Sequence, residues 1–163
     1  MSWTASRPEG MAHLVEAPLW GRLTRLELHH CPIQDAGART LIQALPRSGI
    51  RKLTLVTCGL GEETARALVA APSWGAVEEL DLSYSSLGDA AVVALAGSPH
   101  LANLRVLDLS RCGVGLEAAQ ALAASPYLER LLRLEVTEFH VPRGTRAALT
   151  RRFGKRLEGG LYS

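Results

Sequence analysis

Leu23-Thr-Arg-Leu26-Glu-Leu28-His-His-Cys31-Pro-Ile33 returns 27 residues later as Ile50-Arg-Lys-Leu53-Thr-Leu55-Val-Thr-Cys58-Gly-Leu60. The same frame recurs at Val77, Leu80, Leu82, Ser85 and Leu87, then at Leu104, Leu107, Leu109, Cys112 and Val114. A fifth, eroded copy runs through Leu131, Leu134, Val136, Phe139 and Val141. Copies in phase, with no insertion between them, define a repeat before any secondary structure is assigned. Within each copy the L-x-L core alternates with period two. Its leucines therefore face inward from a short strand and the residues between them face solvent.

The second half of each unit has a different period. Leu41, Leu68, Leu95, Leu122 and Leu149 form one column. Four residues earlier stand Gly37, Thr64, Ala91, Ala118 and Thr145, and one residue earlier Thr40, Ala67, Ala94, Ala121 and Ala148. Spacing of three and four marks one helical face, and small residues on it let each helix lie close to the strands. Asp35, Glu62, Asp89 and Glu117 sit near the helix starts, where the helix dipole favours negative charge. Pro72, Pro99 and Pro126 share a column at the helix ends, as residues that cannot continue a helix. The first copy has Leu45-Pro46 instead, which predicts a different corner there.

One strand and one helix per unit predict an α/β solenoid with a parallel sheet on the concave face and helices on the convex face. Helices need more room than strands about 4.8 Å apart, so the stack bends into a horseshoe arc. The frame reaches upstream to Gly10, Leu14, Ala17, Pro18 and Trp20, the helical half of a unit whose strand is missing. Residues 1–21 are thus read as a partial N-terminal repeat or cap, with truncation favoured over a natural end. Residues 22–141 form the array, and residues 142–163 a capping helix and tail in which Leu149 and Phe153 point inward; the whole is a single domain.

The pattern L-x-x-L-x-L-x-x-C/N-x-L resembles the leucine-rich-repeat signature. Gly88-Asp-Ala-Ala91 through Ala94-Leu-Ala-Gly-Ser98-Pro99-His-Leu101-Ala-Asn-Leu104-Arg-Val-Leu107-Asp-Leu109-Ser110 is similar to repeats of bacterial proteins in the ribonuclease-inhibitor-like subclass. Ala123-Ala-Ser-Pro126 repeats part of it, and Leu149-Thr-Arg-Arg-Phe153-Gly154-Lys-Arg-Leu157 looks like their R-F-G-x-R ending. The resemblance implies a leucine-rich-repeat solenoid over about residues 10–157 and an N-terminal companion domain in a longer native chain. The vertebrate inhibitor subtype alternates two unit lengths and carries a further cysteine. This chain does neither, so ribonuclease binding is not carried over.

Composition narrows the function classes. With 47% hydrophobic and 21% charged residues, 163 residues are enough for one globular domain with a real core. No apolar run approaches the roughly 18 residues of a membrane span, and the start, Met1-Ser-Trp-Thr-Ala-Ser-Arg-Pro-Glu-Gly10, lacks a signal-peptide apolar region. Cys31, Cys58 and Cys112 occupy one ladder column, where a small polar group bonds backbone, rather than a disulfide framework. A cytoplasmic protein is expected. The formal charge of +2 conceals a basic stretch (Arg143, Arg146, Arg151, Arg152, Lys155, Arg156) and a body that is mildly acidic. That stretch lacks an aromatic run or groove-reading motif and is read as the solvated face of a cap, so nucleic acid is disfavoured as a partner.

No Walker loop, G-x-S-x-G elbow, H-E-x-x-H or C-x-x-C pair occurs. His29-His30-Cys31 places consecutive residues on opposite sides of a strand, a poor arrangement for one ion. No catalytic, cofactor or metal residue, no small-molecule substrate and no membrane is expected. The outward strand columns carry the functional expectation: Arg25, Lys52, Glu79 and Arg133 beside Glu27, Thr54, Asp81, Asp108 and Glu135, then Tyr84 and Arg111, with His30, Thr57 and Glu138 sharing their column. Like charges at sheet spacing repel by a few tenths of a kcal/mol per pair, and the flanking cations relieve part of this. A tyrosine and an arginine among polar neighbours are typical interface anchors. The expected function is non-enzymatic binding of a partner protein through the concave face. The alternatives are regulation of an enzyme, such as a GTPase-activating or inhibitor surface with Arg111 as first candidate, or a purely structural, self-associating role.

Overall fold

The structure, a computed structural model, describes residues 8–71, 74, 76–139 and 144–162. Pro72, Val141 and Arg143, each assigned a place in the repeat or the tail above, lie outside the described residues. Helix α1 (Pro8–Glu16) is followed by strand β1 (Arg25–His29), α2 (Gln34–Ala44), β2 (Lys52–Val56), α3 (Glu62–Ala70), β3 (Glu79–Asp81), α4 (Asp89–Ala96), β4 (Val106–Asp108), α5 (Leu116–Ala124) and β5 (Arg133–Glu135). The chain ends in β6 (Glu138–Phe139), α6 (Thr145–Phe153), β7 (Leu157–Glu158) and β8 (Leu161–Tyr162).

The sheet is parallel throughout, in the order β1-β2-β3-β4-β5-β7. Its register places Leu26, Leu53, Leu80, Leu107, Leu134 and Leu157 in one file. Leu53, Leu80, Leu107 and Leu134 are fully buried, as are Leu41, Leu68, Leu95, Leu122 and Leu149 on the facing helices. Strand and helix leucines thus share one apolar seam, whose burial is the main driving force for folding. Leu26 and Leu28 are only partly buried, because β1 has no strand on its outer side among the described residues.

Two features depart from the periodic reading. The helix column Thr40, Ala67, Ala94, Ala121 and Ala148 lies on the flank, with Ala94 exposed, and the close packing comes from Ala38, Ala65, Val92 and Ala119 instead. The chain after α6 also contributes β7 to the sheet, while β8 pairs with β6. Leu157 follows Leu134 by 23 residues rather than 27, so a search at constant period passes over it.

The helix starts are tied across units. Asp35, in the first turn of α2, accepts hydrogen bonds from the backbone N–H of Gly61 (2.8 Å) and Thr64 (3.0 Å) and from the Thr64 hydroxyl. Asp89 accepts from the N–H of Gly115 (2.8 Å) and Ala118 (3.0 Å). Each carboxylate therefore caps the next helix, satisfying N–H groups that have no partner within it. Glycine at 115 permits the approach, since a Cβ there would meet the Asp89 carboxylate at 2.9 Å. At the first corner, α2 runs straight into a 3-10 turn over Leu45–Arg47 containing Pro46, whereas Pro99 opens a 3-10 turn capped by the Ser98 hydroxyl.

Candidate functional site

In the cysteine column two thiols bond backbone carbonyls. The Cys58 thiol donates to the carbonyls of Leu28 and Val56 (3.5 Å each), and the Cys112 thiol to Leu82 O (3.1 Å). Burial raises the pKa of both thiols, which keeps them protonated as donors. All three cysteines are free, and among the described residues no group of His, Cys, Asp or Glu is arranged to hold a metal ion.

The exposed strand face is built from the two outward columns. Lys52 Nζ stands between Glu27 (3.4 Å) and Glu79 (3.6 Å), and Arg25 lies 3.8 Å from Glu27. Arg133 reaches Glu135 at 3.1 Å and Glu158 at 3.8 Å. The cations thus serve the two ends of the acidic file. At its centre Val106 occupies the cationic column between Glu79 and Arg133, and neither Asp81 nor Asp108 has an ion-pair partner among the described residues. These two carboxylates instead accept hydrogen bonds from the backbone N–H of Ser83 (2.9 Å) and Ser110 (2.8 Å). They therefore shape the turn that follows each strand. Between β2 and β5 the face holds a shallow depression of about 70 Å³ lined by Lys52, Thr54, Glu79, Asp81, Val106, Asp108, Arg133 and Glu135.

His30, Thr57, Tyr84 and Arg111 all adopt the left-handed conformation, with φ between 52° and 59°. The backbone is held there by hydrogen bonds to the next coil, Tyr84 N–H to Ser110 O and Arg111 N–H to Thr137 O, both 2.8 Å. This conformation is unfavourable for L residues. It turns the side chains away from the core, and Tyr84 is left 59% exposed at the rim of the sheet. No feature of the repeat spacing signals it, because glycine or asparagine is the usual occupant of such a position.

Thr54 and Glu138, which the alternation places on the solvent side, are buried, as are Ser83 and Ser110. Thr54, flanked in register by Glu27 and Asp81, is 4% exposed; its short side chain does not rise above the longer ones around it, so it forms the floor of the depression. Glu138 is turned inward, where its carboxylate accepts from the backbone N–H of Cys112 (2.7 Å), Gly113 (2.8 Å) and Val114 (3.2 Å). Ser85, which holds the cysteine position in the third unit, is also buried, and its hydroxyl has no hydrogen-bond partner among the described residues.

A family model described as leucine-rich repeat matches residues 23–41, 77–96 and 100–123. The matched segments are similar to leucine-rich repeats, and the fold is that of a leucine-rich-repeat solenoid. The tropomodulin C-terminal domain of Caenorhabditis elegans is similar in structure, with a TM-score of 0.66 at 16% identity over 87% of each chain, and at that identity the likeness concerns the fold alone. No curated protein matches the sequence. No helix among the described residues is long and apolar enough to cross a membrane.

On the leucine-rich-repeat sheet, Glu135 has a pKa raised above its ordinary value of 4.5, first by burial and then by the neighbouring Asp108 carboxylate, against the lowering effect of Arg133. The folded protein then binds this proton more tightly than the unfolded chain does. The ionised side chain opposes folding at neutral pH, and that opposition is relieved as pH falls through the raised pKa towards 4.5. Urea midpoints of the wild type and Glu135→Gln, compared across this window, should converge on acidification relative to their separation at neutral pH. A separation independent of pH would show that Glu135 titrates normally.

Proposed function

We propose that this chain is a non-enzymatic protein-binding module whose concave sheet face docks a basic segment of a partner protein. The observation that carries the reading is the run Asp81, Asp108 and Glu135, where two carboxylates lack a cation among the described residues and the third is pushed towards protonation first by burial and then by the neighbouring Asp108. An opposing Lys or Arg would remove that repulsion and gain charge-assisted hydrogen bonds. Arg25, Glu27, Lys52, Glu79, Arg133 and Glu135 form the charged surround, Thr54 the floor, and Tyr84 and Arg111 the rim anchors. A shallow depression of about 70 Å³ suits a side chain of a protein partner and encloses no reacting substrate. Unbroken 27-residue units, each with a full helix, favour the ribonuclease-inhibitor-like subclass, and three free thiols suit a reducing cytoplasm.

The test replaces Asp81 and Asp108 by Asn, which retains the oxygen that accepts from Ser83 and Ser110 while removing two charges. The double variant should keep the wild-type circular dichroism spectrum and lose roughly tenfold or more in affinity for a partner captured by the wild type. Partner affinity unchanged in the folded double variant would remove the concave face from the function.

A further inference from the structure

We propose that a rim groove formed by Arg51, Asn103, Arg105 and Arg130, at the end where the chain enters the strands, is a second docking site and takes an acidic peptide segment. Two files of residues precede the strands, Thr24, Arg51, Glu78, Arg105 and Leu132, and two residues earlier Arg22, Gly49, Ala76, Asn103 and Arg130; of these Arg51, Ala76, Glu78, Asn103, Arg105 and Arg130 line the groove. Between them opens a depression of about 640 Å³, against about 70 Å³ on the concave face.

Its charge is only partly compensated. Arg51 pairs with Glu78 at 2.6 Å, and Arg130 donates to the neutral Asn103 side chain at 3.3 Å. The Arg105 guanidinium has no hydrogen-bond or ion-pair partner among the described residues. Two positive charges therefore face solvent across one groove. The base of the site is rigid, because Arg105 N–H donates to Glu78 O (2.7 Å) and Arg105 O accepts from the N–H of Leu132 (2.8 Å) and Arg133 (3.1 Å). Beside Arg105 in the same file, Leu132 is 60% exposed, one of three large apolar side chains left in water among the described residues.

Guanidinium forks match carboxylates in planar, bidentate geometry. The arrangement fits a segment with two acidic side chains flanking an apolar one, the acids on Arg105 and Arg130 and the apolar side chain on Leu132. Nucleic acid fits less well, since two cations without an acidic partner release few counterions, and among the described residues no aromatic side chain lines the groove to stack a base. The site is separate from the concave face and stands whether or not the acidic file binds a partner.

The probe is a fluorescein-labelled peptide of alternating glutamate and leucine, with an alternating lysine and leucine peptide as control, followed by anisotropy. The glutamate peptide should bind wild type saturably, and about tenfold or more weakly to Arg105→Glu plus Arg130→Glu. The milder Arg105→Gln, which keeps the polar stem, should give an intermediate loss. Asp81→Asn plus Asp108→Asn should leave this binding unchanged, which separates the groove from the concave face. Absence of saturable binding to wild type, equal binding to the folded double arginine variant, or displacement of the peptide by equimolar inorganic phosphate would each overturn the proposal.

Discussion

Leu107→Ala should lower the unfolding free energy by about 3 to 5 kcal/mol, whereas Leu26→Ala, at the matching station of the first strand, should cost far less. Leu107 is fully buried and in register with Leu80 on one side and Leu134 on the other. Truncating it leaves a cavity that two coils share, and neither can collapse without moving its strand out of the sheet. In a solenoid each coil contacts only its neighbours, so damage to an interior coil weakens two interfaces at once. Leu26 already meets water on the open side of β1, so its shortened side chain forfeits less transfer free energy and leaves no sealed void. Equilibrium urea unfolding of the two variants checks the contrast. Equal losses would mean that the leucine file is not one continuous core.

Glu138→Ala should cost about 2 to 4 kcal/mol, a large effect for a single polar side chain. In earlier units the loop after the strand passes its backbone groups to the next coil, as with Gln34 N–H to Cys58 O (3.1 Å) and Gly88 N–H to Cys112 O (3.0 Å). At Cys112, Gly113 and Val114 the partner is a buried carboxylate instead, and one oxygen accepts all three N–H groups. Alanine would leave three donors without a partner, and water reaching the loop would recover only part of the loss. Glu138→Gln keeps an accepting oxygen and should lose less than half as much. Amide exchange reads the mechanism directly: the amides of residues 112–114 should be protected in the wild type and exchange freely in Glu138→Ala. Protection that persists in the alanine variant would assign their burial to packing rather than to the carboxylate.

These two sites differ in how far each could be read from residue order. Leu107 belongs to a column that repeats without interruption, and period-two alternation puts such a column on the inner face. Glu138 belongs to an equally regular column (His30, Thr57, Tyr84, Arg111), and the same rule sends it outward. The rule fails there because the frame erodes after β5 and a carboxylate takes over the hydrogen bonds of the loop before it. Asp35 and Asp89 lie between these cases: their place near a helix start was legible, but the helix they cap is the following one, which only the stacking of coils brings within reach. The acidic run was visible as Asp81, Asp108 and Glu135, yet nothing in their order separated the two carboxylates without a cation from the ones that Lys52 and Arg133 neutralise.

Residue order alone determined the repeat length, the strand-plus-helix unit and the leucines of the shared core, because burial of an apolar face imposes the same local period in every coil. Tertiary structure decided what crosses from one coil to the next: the caps given by Asp35 and Asp89, the inward turn of Glu138, the left-handed residues that lift Tyr84 and Arg111 to the rim, and the late strand Leu157–Glu158. Those features depend on distances between residues some 23 to 29 positions apart, and hydrogen bonds and charge pairs form only once the neighbouring coil is in place.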